Sequence, residues 1–136
     1  MTVTDPEIEA LIRAFEDGSL PKSEWTHARH LLMALWYLRH HGWDEATGLV
    51  RDGIRRYNER QGNRSGYHET ITLAWVAVVE RFLYRRDRDV PVSALAGELI
   101  AECGNKDYLL RFYSRERLFS DEARSRWVPP DLGEIR

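Results

Sequence analysis

Apolar positions recur along this chain at helical spacing. Ile8, Leu11, Ile12 and Phe15 fall at i, i+3, i+4 and i+7, one stripe of an amphipathic helix. Asp5-Pro6 reads as an N-cap followed by proline at the first helical position, and Gly18 as the stop. A second helix starts at Pro21 and Ser23, runs to about Arg39 and stops at Gly42. The third is capped by Asp44 and turns Ala46, Val50, Ile54 and Tyr57 inward, and a polar loop follows from Gln61 to Ser65. Ser65 is the expected cap of a fourth helix whose middle, Ile71 to Val79, is apolar nearly all round, as in a central, buried helix. Arg85 to Asp89 is a charged connection. Pro91 opens a fifth helix with the stripe Val92, Leu95, Ala96, Leu99, Ile100 and Cys103, ended by Gly104. Short helices are expected from Asp107 to about Tyr113 and from Ser120-Asp-Glu, and Trp127-Val-Pro-Pro leads into a tail. Strand alternation and internal repeats are absent. The pattern predicts an all-α, single-domain helical bundle over residues 1–136, with about five main helices, short C-terminal helices and an extended tail. Residues 105–136 form the lid or tail segment.

Short connections make sequential helices antiparallel neighbours. Helices two and four then run the same way, and their N-termini share one end of the bundle. That end would hold three histidines: His27 and His30 at the start of the second helix, and His68 at the start of the fourth. Residues three apart share a helix face, so His27 and His30 point together. The positive end of a helix disfavours protonation, and neutral imidazole is the form that binds metal. Three histidines with an open position suit one divalent transition metal: zinc, copper, iron or nickel. Such a metal would activate water or polarise a substrate oxygen.

Around this expected site stand other candidates. Glu69 is a candidate base, or an acceptor for the ring N–H of a metal-bound histidine. Glu24, three residues before His27, has the Glu-x-x-His spacing of di-iron bundles, but in a single copy. Arg111 and Tyr113, in the segment after Gly104, are candidate substrate contacts, Arg111 as a fork for carboxylate or phosphate and Tyr113 as a proton or hydrogen-bond donor. Tyr67, Tyr57, Asn58 and Trp25 complete the candidate substrate-binding set. For each of these, core packing or helix-end capping is the simpler alternative. His40-His41, at the C-terminal end of the second helix, reads as capping.

Net charge is −2 and the isoelectric point is near 6.2, which argues against a nucleic-acid footprint. The single cysteine, Cys103, has no partner for an internal disulfide, and with no signal-peptide pattern a cytoplasmic location is expected. No apolar run is long enough to cross a membrane. An exposed apolar helix face would point to a homodimer. Gly-rich phosphate loops, G-x-S-x-G and H-E-x-x-H are absent; His68-Glu69 begins like the last, but position 72 is Thr.

The combination W25-T-H-A-R-H30, I54-R-R-Y-N58, G66-Y-H-E-T70, Y113-S-R-E116 and W127-V-P-P-D131 resembles a family of small uncharacterised bacterial all-helical proteins. That resemblance covers most of the chain and carries no assigned reaction. A looser similarity, to metal-binding helical bundles of the DinB type, implies a bound metal, although here two of the three histidines lie close together. The sequence thus points to a mononuclear metal-dependent enzyme acting on a small molecule by hydrolysis or oxygen-dependent oxidation. The alternative is a non-catalytic ligand- or metal-binding module that acts through a protein partner, contacted by Arg85–Arg88 or the tail.

Overall fold

The computed structural model describes residues 3–63, 66–87 and 89–135. Seven α-helices follow in order: α1 (Asp5–Asp17), α2 (His27–His40), α3 (Trp43–Arg60), α4 (Glu69–Tyr84), α5 (Val92–Cys103), α6 (Arg115–Leu118) and α7 (Asp121–Ser125). Two 3-10 turns, Lys22–Glu24 and Lys106–Arg111, precede α2 and α6. No strand occurs among the described residues, so the chain is all-α, as the periodicity required.

Three of the long helices, α1, α2 and α4, begin where a side chain accepts from the orphan amides of the first turn, whereas α3 and α5 start at Gly42 and Pro91 without a side-chain cap. In α1 that residue is Thr4, not Asp5: Thr4 accepts from Glu7 N, and the Glu7 carboxylate returns to Thr4 N at 3.2 Å, a closed capping box. Asp5 is thereby freed to accept from Ser93 N at 2.7 Å, tying α1 to α5. Thr26, not Ser23, caps α2, because the residues before it are taken up by the 3-10 turn. Gly42 is the N-cap of α3, so Asp44 lies inside the first turn. Ser65 lies outside the described residues; the cap of α4 is His68. Gly18 ends α1 at φ 80°, in the left-handed region that glycine enters without strain.

The core is organised on α2. Leu31 through Leu35 are buried without interruption, followed by Tyr37 and Leu38. A helix buried on nearly all sides must be surrounded, and α2 packs on α1, α3, α4 and α5. The sequence assigns that central place to α4, whose middle is equally apolar. The structure gives α4 a shared role: Ala74, Val76, Val78, Val79 and Phe82 face the core, while Leu73 and Ala77 stay half exposed. The expected stripe of α3 (Ala46, Val50, Ile54, Tyr57) is buried throughout, and those of α1 (Ile8, Ile12, Phe15) and α5 (Val92, Leu95, Ala96, Leu99, Cys103) are buried except for Leu11 and Ile100, which are half-buried. Each fully buried large aliphatic or aromatic side chain stabilises the fold by about 1.5–3 kcal/mol. Gly53 is required by proximity: its backbone meets the Phe15 ring so closely that a Cβ would sit 2.7 Å from Cε2.

After α5 the second 3-10 turn and α7 both pack on α4, and residues 126–132 form an extended strap tied to α4 at Arg126 and Val128 and to residues 112–117 at Pro129, Asp131 and Leu132. Among the described residues no helix is long and apolar enough to cross a membrane.

Candidate functional site

The first surprise is where the three histidines go. His68 caps α4 through Nδ1, which accepts from Ile71 N at 3.1 Å, and its Nε2–H donates to the Leu118 carbonyl at 2.9 Å. Both ring nitrogens are thus occupied in one neutral tautomer, and no lone pair is left for a metal. His27 lies against Trp75, two turns into α4 from His68, with ring centroids 4.7 Å apart at 63°. Its Nε2 is buried with no hydrogen-bond partner among the described residues. His30 stacks on Trp25 at 3.8 Å and donates from Nδ1 to the Thr26 carbonyl at 2.7 Å. Among the described residues, no group of three or more His, Cys, Asp or Glu side chains is placed to hold a metal ion. His27 and His30 lie one turn apart at the start of α2, and His68 is bonded at the start of α4.

All three imidazoles are held neutral. Burial pushes His30 down to about 4, with the Thr26 hydrogen bond opposing and His27 adding a smaller push. His27 is lowered by burial and by the Lys106 charge, and His68 by burial against the opposing Leu118 hydrogen bond.

The remaining expected residues are spoken for in ways that their positions did not reveal. Glu24 sits in the 3-10 turn before α2, exposed, 3.7 Å from Arg29, so the helical Glu-x-x-His register does not exist. Tyr113 is fully buried and its hydroxyl donates to the Val128 carbonyl at 2.7 Å, which removes it as a proton donor to substrate. Burial raises it to about 12. Tyr57 is buried and donates to the Leu20 carbonyl at 2.7 Å. Trp25 packs into a stack with Phe15, Tyr57 and His30. Arg111 lies exposed with its guanidinium 4.8 Å over the Tyr108 ring. His40 donates from Nδ1 to the Trp36 carbonyl at 2.8 Å, the expected helix-end role.

Residues from three of the motif stretches hold the strap. Thr70 donates to the Arg126 carbonyl and accepts from Val128 N. Ser114 donates from both its amide and its hydroxyl to Asp131, and Arg117 Nε donates to the Pro129 carbonyl at 2.6 Å. The stretches G-Y-H-E-T, Y-S-R-E and W-V-P-P-D are therefore three parts of one docking arrangement.

One pair of the expected substrate contacts does come together. Tyr67 and Asn58 line a cleft of about 550 Å³ between α3, the approach to α4, and α7. Arg55 and Glu59 join Asn58 from α3, Asn63 comes from the following turn, and Arg124 and Ser125 come from α7. The Tyr67 hydroxyl donates to Glu69 Oε1, and the same oxygen receives Arg51 Nε at 3.2 Å. Burial, reinforced by the Glu69 hydrogen bond, raises Tyr67 to about 12, so it stays a neutral platform. Upon it lies Arg55, its guanidinium carbon 4.5 Å from the ring centroid. Arg124 reaches the Tyr67 carbonyl at 3.4 Å from the other wall. Glu69, expected as a base, is thus the anchor of the cleft wall. The arginines of the cleft were missed, although Arg51, Arg55 and Asn58 at i, i+4 and i+7 of α3 share one face.

Compared with protein-family models, with curated proteins and with solved structures, the chain matches none of them.

Proposed function

We propose that the chain is a ligand-binding module that holds a small anion, a carboxylate or phosphate group of a small molecule, in the cleft between Arg55 and Arg124. The observation that carries this reading is the setting of Arg55. Its guanidinium is fixed on the Tyr67 face with no ion-pair partner among the described residues, at a cleft of ligand size. Stacking leaves the edge of a planar guanidinium available for a two-point contact with carboxylate or phosphate. Arg124 supplies a second cation, while Asn58, Asn63 and Ser125 add neutral hydrogen-bonding groups. Glu59 is the one carboxylate of the lining and sets a cost on unspecific anions.

Calorimetric titration with inorganic phosphate and with succinate tests this. The expected result is saturable heat with at least one of them, lost in Arg55→Gln and partly kept in Arg55→Lys. No saturable binding, or binding unchanged in Arg55→Gln, overturns it.

A second reading keeps one divalent transition metal on His27 and His30, with hydrolysis or oxidation of a small molecule as its chemistry. It is supported by two neutral imidazoles one turn apart. The Nδ1 of His30 is fixed by the Thr26 carbonyl, as the outer hydrogen bond of a metal-bound histidine usually is. Two donors fall short of the three protein ligands usual for catalytic zinc, so substrate or solvent would complete the set. Elemental mass spectrometry on untagged protein decides: about one equivalent, lost in His27→Ala and His30→Ala, supports it, and none after reconstitution sinks it.

A further inference from the structure

A second concave surface lies along α4. Two adjoining cavities of about 550 and 450 Å³ share Trp43 and Ala77 as wall and floor. Leu73 and Trp127 extend the groove at one end, and Tyr84 and Arg85 at the other. From Leu73 to Tyr84 it follows the helix for roughly 16 Å. Three large apolar side chains remain open to solvent here: Trp43 at 43%, Trp127 at 37% and Tyr84 at 88%. A monomer seldom leaves aromatic rings gathered around one groove without using them.

Charge selects the occupant. Arg51, at the Trp127 end, is already paired with Glu69. Arg81 is turned toward the Phe112 ring, 6.0 Å away. Arg85, at the Tyr84 end, makes no ion pair and no ring contact among the described residues. The groove therefore has an apolar body, two arginines without an ion pair among the described residues at its Tyr84 end, Arg81 and Arg85, and the Asp44 carboxylate at its Trp127 end, so an anionic head group fits only at the Tyr84 end. We infer that it binds an amphiphilic carboxylate, with the alkyl or aryl body against Trp43, Ala77 and Tyr84 and the head group at Arg85. Glu80, which lines the same cavity as Arg85, disfavours a second anionic group on the same ligand. This site shares no lining residue with the Arg55 cleft and does not rest on the reading given there.

The test is calorimetric titration of the full chain with dodecanoate, below its micelle concentration, beside dodecyltrimethylammonium as the cationic counterpart. Dodecanoate is expected to bind saturably, about tenfold more weakly to Arg85→Glu. Ala77→Leu, which fills the floor, should abolish binding, and Arg55→Gln should leave it unchanged. Circular dichroism confirms that each variant is folded. Equal or tighter binding of the cationic amphiphile, or an Arg85→Glu variant that binds dodecanoate as the wild type does, overturns the inference. So does a dimer in sedimentation that shields Trp43 without any ligand, since the occupant would then be a second copy.

Discussion

The hydroxyl of Thr70 and the backbone of Val128 meet across the strap: Val128 N donates to Thr70 Oγ1 at 3.1 Å, 58 residues along the chain. The same oxygen donates to the Arg126 carbonyl at 2.8 Å, and Thr70 is fully buried. One hydroxyl thus serves as both donor and acceptor for an extended segment with no helix or sheet to satisfy it. Thr70→Val keeps the shape and removes both bonds. It is expected to destabilise the fold by about 1–3 kcal/mol, read from the urea midpoint, because buried backbone groups are left unpaired. An unchanged midpoint would mean that the strap is not held here.

His68 is predicted to act as a cap. His68→Asn keeps a side-chain acceptor for the first turn of α4 but loses the reach to Leu118, whereas His68→Ala loses both. The expected order of stability is wild type, then Asn, then Ala, with the last about 0.5–2 kcal/mol below the Asn variant. Metal content that tracks this series instead of stability would return His68 to the ligand set.

Burial of neutral His30 makes stability depend on pH. Its folded value, about 4, lies below its ordinary 6.5, so between these the unfolded chain binds the proton and the folded one does not. Stability is therefore complete above 6.5 and falls as pH drops toward 4, by an amount on the order of 3 kcal/mol. His27 and His68 are shifted in the same direction and add to the slope. Urea titrations at several pH values should show this fall, shallower in His30→Gln, and the His30 ring resonances should titrate near 4.

Gly53→Ala is expected to destabilise, against the usual gain of alanine in a helix. The added methyl would meet Phe15, whose ring is stacked on Trp25 and Tyr57 and has no room to retreat. A net loss of about 1–2 kcal/mol is the expected balance of overpacking and propensity. A gain in thermal midpoint would show that the ring can move.

The helices were legible because their signals are local. The stripe Ile8–Ile12–Phe15, the inward set of α3 and the stop at Gly18 all act within a few residues. Their caps were less so, since Thr4 and Asp5 are both good caps and the choice turned on Glu7 and on Ser93, which lies in another helix. The surroundings of the histidines were hidden for the same reason on a larger scale. Common direction along the bundle says which end two helix starts share, not how far one helix has slid along another; His27 faces Trp75, two turns from His68. The partner of His68 is a backbone carbonyl at Leu118, and a carbonyl has no sequence signature. Tyr113 and Tyr57 look like reactive groups in sequence and are buried donors to carbonyls in the fold. The cleft was half legible: Asn58 and Tyr67 were noticed, but the guanidinium between them is defined by its stacking geometry.

The strap also orders events in time. Synthesis runs from the N-terminus, so α1 to α5 are complete while residues 126–132 are still to be made. Until then Thr70 and the Tyr113 hydroxyl wait without the strap carbonyls and amide that they bond. The five long helices can therefore form before the strap is made, and the closing of Thr70 and Tyr113 is a docking event instead of a helix-forming one.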